Sequence, residues 1–137
     1  MNYLLDTNAC IALINGHPPI VRTRFRKAVG VGTELYVPSV ALFELWYGVW
    51  KSSRPQANEL RVETFLSGPV RVLAFEEEDA RAAGSIRASL ERTGKPIGAY
   101  DLLIAGQALA RQLTLVTSNV SEFSRVKDLV FEDWGRP

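Results

Sequence analysis

A chain of 137 residues that is 47% hydrophobic and carries a formal net charge of +1 has enough apolar material for one core and no global field that would imply nucleic acid or membrane, so a polyanion partner must be met by local patches. Its single cysteine excludes an intramolecular disulfide, and with one histidine it argues against a dedicated zinc site. The start MNYLLDTNACIALI lacks the basic region and cleavage site of a signal peptide, and the apolar runs break well short of the roughly 20 residues of a membrane span, so a cytoplasmic protein without membrane association is expected.

In chain order, Tyr3-Leu4-Leu5 predicts a short buried strand, and Asn8 to Ile14 a helix that stops at Asn15-Gly16 with Pro18-Pro19 beyond it. Val21, Phe25, Ala28 and Val29 keep helical spacing from Ile20 to Val29, Gly30-Val31-Gly32-Thr33 breaks it, and Leu35-Tyr36-Val37 reads as a second strand. The next helix is expected after Pro38, with Ser39 as its N-cap, and runs to about Lys51. Ser52-Ser53-Arg54-Pro55 then turns the chain into a helix over Ala57 to Leu66, closed by Ser67-Gly68-Pro69. Val70 to Leu73 is a third strand, and Glu76 to Thr93 a long helix whose opening acids, Glu76 to Asp79, suit the helix dipole. After Gly94-Lys95-Pro96, a helix from about Ala99 to Arg111 leads to a strand at Leu113 to Thr117, a short turn, and a last strand near Val130-Phe131. Strands alternate with helices, so residues 1–137 are expected to form a single α/β domain, a doubly wound and mostly parallel sheet flanked by helices.

Three nearly charge-free stretches each contain one lone carboxylate: Asp6 within Met1 to Val21, Glu44 within Val40 to Trp50, and Asp101 within Ile97 to Ala110. An acid in an apolar segment is costly to bury unless a cation or hydrogen bonds satisfy it. In open α/β sheets ligands bind outside the carboxyl ends of the strands. Asp6 ends the first strand and Glu44 lies in the helix after the second, whereas Asp101 needs the tertiary fold to bring it there. Thr117-Ser118-Asn119-Val120-Ser121-Glu122 adds hydroxyls, an amide and another carboxylate to the same edge. Carboxylates gathered so closely either retain protons or take a cation. All-oxygen donors suit Mg²⁺ or Mn²⁺, which can activate a water for phosphodiester hydrolysis.

LLDTN, FELWYGV around Glu44, GKPIGAYDLLIAGQAL and LTLVTSNVSEF, four ordered blocks spanning nearly the whole chain, resemble the PIN-domain ribonucleases, specifically the VapC toxins of bacterial toxin-antitoxin pairs. The resemblance implies a Mg²⁺- or Mn²⁺-dependent endoribonuclease acting on structured RNA of the tRNA or rRNA type. It also implies neutralisation by a VapB-type antitoxin, and a homodimer or a higher assembly with that antitoxin. By this similarity Asp6, Glu44 and Asp101 match the family's metal-binding acids, and Asn119 occupies the position often held by a fourth. An amide brings no charge, so Glu122 is expected to supply it as a further metal ligand, with Thr7, Thr117 and Ser118 as supporting hydroxyls. The expected division of labour has Asp6 and Asp101 holding the metal, Glu44 orienting or deprotonating the attacking water, and Asn119 with Glu122 completing the shell.

Simpler roles compete for individual residues. Asp6 is also a natural N-cap for the helix it precedes, and Asp101 could hydrogen-bond free N–H groups in its helix's first turn. Arg22 and Arg26, four apart on one helix face, with Arg24 and Lys27 nearby, read either as a phosphate-attracting patch or as a solvated face. The Val40 to Trp50 helix carries two apolar stripes that cannot both face one core, so one is expected to form an interface with the antitoxin or a second copy. His17 reads as a solvated loop residue and Cys10 as a small buried hydrophobe. A phosphoacceptor receiver expects paired acids after its first strand, and a haloacid-dehalogenase-type phosphatase a second Asp where Asn8 stands, so both fit poorly. A PIN-like module attenuated in catalysis, which binds RNA or a partner, is the remaining alternative.

Overall fold

The computed structural model describes residues 1–137. Five strands, β1 (Tyr3–Leu5), β2 (Leu35–Pro38), β3 (Arg71–Leu73), β4 (Thr114–Val116) and β5 (Phe131–Glu132), lie in the order β3-β2-β1-β4-β5, and every pairing is parallel. The helices are α1 (Thr7–Asn15), α2 (Pro19–Gly30), α3 (Ser39–Lys51), α4 (Pro55–Leu66), α5 (Glu77–Arg92), α6 (Ala99–Arg111) and the short α7 (Val120–Phe123). The expected doubly wound α/β architecture is therefore present, with α7 standing where a turn was expected. No helix is long and apolar enough to cross a membrane.

Chain direction creates the functional edge. From β1 the sheet grows outward through β2 to β3, and the chain then returns to place β4 on the other flank of β1 and β5 beyond it. The switch point where strand order reverses therefore lies between the carboxyl ends of β1 and β4, where a doubly wound sheet opens its crevice. Leu4, Leu5, Val37 and Leu115 are completely buried, and Val116 nearly so, because both faces of the sheet are covered. They belong to one continuous core of 25 buried residues, which also includes Ile104, Ala105 and Ala108 from α6.

Local chemistry sets the helix ends. Gly16, in the left-handed conformation, caps α1, and a Cβ there would lie 2.6 Å from the Arg22 guanidinium. That guanidinium donates to the free carbonyls of Leu13 and Ile14, both at 3.0 Å, closing the C-terminus of α1. Arg24 donates to the Asp133 carbonyl at 2.9 Å. Of the basic residues on α2, two thus serve the fold, leaving Arg26 and Lys27 exposed. The N-cap of α3 is Pro38 rather than the expected Ser39, because Ser39 is already helical. The Ser39 hydroxyl instead accepts the Phe75 N–H at 3.2 Å, tying α3 to the segment after β3.

The acids that open α5 divide by role. Glu76 is the N-cap, and Asp79 completes a capping box with it. Asp79 is fully buried, clamped by Arg111 of α6 through bonds of 3.0 and 3.1 Å. Gln107 donates to the Ala74 carbonyl at 2.9 Å and more loosely to Asp79 at 3.3 Å. Helices α5 and α6 approach so closely that a Cβ on Gly106 would lie 2.7 Å from the Ala83 backbone. This clamp and close approach hold α6, the carrier of Asp101, in place.

Candidate functional site

Asp6 follows β1 directly and is only 2% exposed. Its own N–H donates to the Val116 carbonyl at 3.1 Å, which fixes it to β4, and its Oδ1 accepts the Ala9 N–H at 2.8 Å. Asp6 is thus the N-cap of α1 as well as the acid at the switch point, so the two readings of this residue coexist. Burial pushes its carboxyl up to about 6; the Thr117 hydroxyl and Ala9 N–H pull it back, and the charges of Glu44 and Asp133 push it further up.

Glu44 reaches the crevice from α3, half-buried, its Oε1 accepting the Thr7 hydroxyl at 2.6 Å. Asp101 arrives from the first turn of α6, where it makes no capping bond. Its Oδ2 accepts the Asn119 amide at 3.0 Å instead. Burial also pushes Asp101 up to about 6, and the neighbouring Glu122 and the charge of Asp6 add to the rise. Asp6 and Asp101, from opposite ends of the chain, therefore share one electrostatic site.

Asn119 is a bridge. Its amide donates to Asp101 and to Glu122, while its backbone N–H donates to the Thr117 hydroxyl at 2.9 Å. Glu122 Oε1 accepts the Gly98 N–H at 3.0 Å, at the N-cap of α6. The Asn119 amide and this N–H hold Glu122 below the usual carboxylate range. Both residues thus lie in the crevice and also fasten α7 to the start of α6.

One acid at this edge has no counterpart in the sequence reading. Asp133, immediately after β5, contributes its charge to Asp6, while its Oδ1 accepts the Gly135 N–H at 2.9 Å and its Oδ2 pairs with Arg136 at 3.1 Å. Its signal in the sequence is slight, an acid between Glu132 and Trp134, because parallel pairing of β5 with β4 brings it to the site. His17 is exposed and Cys10 fully buried, as expected.

No three acidic, histidine or cysteine side chains converge into a ready ligand cage. Glu44 is held by Thr7, whereas Asp101, Asn119 and Glu122 form a second group, and Asp6 feels the charge of Glu44 while its own acts on Asp101. Such a donor set fits a small hard cation that keeps most of its water and takes one or two carboxylates with a substrate phosphate. It does not fit a dehydrated sulfur or nitrogen site.

Comparisons with known proteins match the chain over nearly its whole length. The family model for the PIN domain matches residues 3–129. The chain is 42% identical to the tRNA(fMet)-specific endonuclease VapC of Shigella flexneri over 134 residues, 98% of each chain. It is 37% identical to Ribonuclease VapC2 of Rickettsia felis over 136 residues, 99% of this chain and 100% of the relative. Among solved structures, VapBC2 from Rickettsia felis bound to a DNA fragment from its promoter superposes with a TM-score of 0.92 at 36% identity, covering 98% of this chain and 99% of that one. DNA-bound VapBC from Salmonella typhimurium superposes at 0.89 with 40% identity and 98% coverage of both.

Proposed function

This chain belongs to the PIN domain family, and from that premise we propose that it is a metal-dependent endoribonuclease toxin, acting on structured RNA of the tRNA type and neutralised by a VapB-type antitoxin. The observation that carries the reading is the placement of two acids at the switch-point crevice, Asp6 fixed to β4 and the start of α1 and Asp101 held by Asn119, with burial pushing both upward. Burial disfavours the charged form of both acids, and a bound cation would offset that cost. The relatives carry the choice of RNA and antitoxin, since several are named ribonucleases or VapBC pairs.

Asp6 and Asp101 would hold Mg²⁺ or Mn²⁺, with Glu44 and Glu122 as further acids. The cation would supply charge for the phosphodiester oxygens and acidify a water. The chain's own residues do the positioning. Asp6 cannot swing, because the α1 cap and the β4 bond fix its backbone and one oxygen. Thr7 aims Glu44, which would orient or deprotonate an attacking water. Asn119 places its N–H donors between Asp101 and Glu122, lowering the repulsion between them.

A second reading, a module that binds RNA or a partner without cutting, is favoured by Asn119 alone, whose amide stands where an acid would add charge. Cleavage of a total tRNA and rRNA mixture by purified, antitoxin-free protein, with Mg²⁺ or Mn²⁺ against EDTA, decides between them. Metal-dependent fragments absent with Asp101→Asn establish the nuclease. A folded, metal-binding protein that leaves all RNA intact establishes the binding module. We also assign the exposed aromatic face of α3, Phe43, Tyr47 and Trp50, with Tyr100 packed edge-on against Phe43, to a homodimer contact.

A further inference from the structure

Beside the acids, between α1, the start of α2 and the segment after β5, lies a cavity of about 270 Å³. Thr117 lines it, and so does Ala9, whose N–H is bonded to Asp6; whatever occupies it is in contact with the residues that hold the catalytic acid. Its walls are apolar: Ile11, 41% exposed, Ala12 and Pro18, with the buried Trp134 behind. Its rim carries the Asn8 amide, the His17 imidazole and the Ser118 hydroxyl, and none of these three side chains has a hydrogen-bond partner elsewhere in the protein.

The lining contains no lysine or arginine, and its one acid is Asp133. A phosphate or an acidic side chain is therefore a poor occupant, because the lining offers it no cation and the Arg136 guanidinium beside Asp133 is already paired with that acid. A neutral, flat group with apolar faces and hydrogen-bonding edges matches walls and rim together. The volume falls just below the range of drug-sized ligand pockets and suits one planar ring system rather than a folded segment. RNA is read largely through bases splayed out of the stack, which offer such faces and edges. We propose that this cavity receives one unstacked nucleobase of the RNA, adjacent to the bond being cut, and is a specificity pocket of the enzyme. The Asn8 amide offers both a donor and an acceptor to the edge of that base.

This rests on the ribonuclease reading, and the experiment separates the two. Steady-state cleavage is measured on a short RNA containing the wild-type cut site, and on copies in which one nucleotide at a time near that site is abasic. Wild-type protein is compared with the double variant Asn8→Ala/Ser118→Ala and with Ala12→Leu, which fills the cavity. The expected result is one flanking position at which loss of the base raises KM about tenfold. At that position the double variant, itself raised by a similar factor on intact RNA, shows less than a twofold further penalty. Independent, multiplying penalties would overturn the proposal, as would unchanged KM and cut site in all variants. A loss of antitoxin binding by Ala12→Leu with RNA kinetics intact would instead assign the cavity to a protein segment. Wild-type protein that cuts no RNA removes the ribonuclease reading itself, and the pocket with it.

Discussion

Asp6→Asn should abolish cleavage and at the same time stabilise the metal-free protein. Burial raises the Asp6 carboxyl from 3.8 to about 6, so its ionised form costs the fold about 3 kcal/mol at about 1.4 kcal/mol per pKa unit. Asparagine keeps an oxygen for the Ala9 N–H, and caps a helix about as well as aspartate. Because the folded pKa lies above the unfolded one, the favourable contribution of Asp6 is fully present below about pH 4 and is lost as pH rises through about 6. In EDTA, urea denaturation should therefore find the variant about 2 to 3 kcal/mol more stable at pH 8, the difference closing towards pH 4. With Mg²⁺ at a hundred times its dissociation constant, wild-type protein regains about 2.7 kcal/mol and the gap narrows or reverses. A variant no more stable than wild type at pH 8 in EDTA, or a difference independent of pH, would refute the argument that this acid is held against its solvation preference for function.

Four further outcomes can be checked. Arg111→Ala leaves the buried Asp79 carboxylate unpaired and should cost about 3 kcal/mol in a denaturant titration. Gly106→Ala drives a methyl into the Ala83 backbone; it should destabilise by about 1 to 3 kcal/mol and lower kcat, because α6 carries Asp101. Asn119→Asp exchanges N–H donors for a third carboxylate beside Asp101 and Glu122. The metal-free protein should melt lower, while the rise in melting temperature produced by Mn²⁺ should be larger than in wild type. Trp50→Ala, at a side chain 61% exposed, should shift the protein to monomer in light scattering while changing its stability by no more than about 0.5 kcal/mol.

The alternation of strands and helices was legible because its punctuation is local: Gly16 ends α1 with a left-handed residue, and Pro38 ends β2 where α3 begins. Asp6, Glu44 and Asp101 stood out because each interrupts an apolar block; in the structure the charge of Glu44 acts on Asp6 and that of Asp6 on Asp101. Asp133 did not stand out, since its relation to Asp6 is created by the pairing of β5 with β4 and leaves no trace in nearby spacing. The roles of Arg22 and Arg24 were hidden for the same reason, as their carbonyl partners lie on other elements. Ser39 misled because a serine after a proline has the composition of a cap, yet its hydroxyl serves the Phe75 amide.

The placement of β4 has a consequence for synthesis of the chain. Strand β1 is made first, but its flank at the switch point stays open until Thr114–Val116 has been translated. Asp6 has no Val116 carbonyl to bind, and Asp101 no Asn119, until nearly all of the polypeptide exists. Pairing across so long a stretch is intrinsically late in folding. A nascent or truncated chain therefore has no assembled crevice, and the ribosome has released almost the whole polypeptide before the acids can meet.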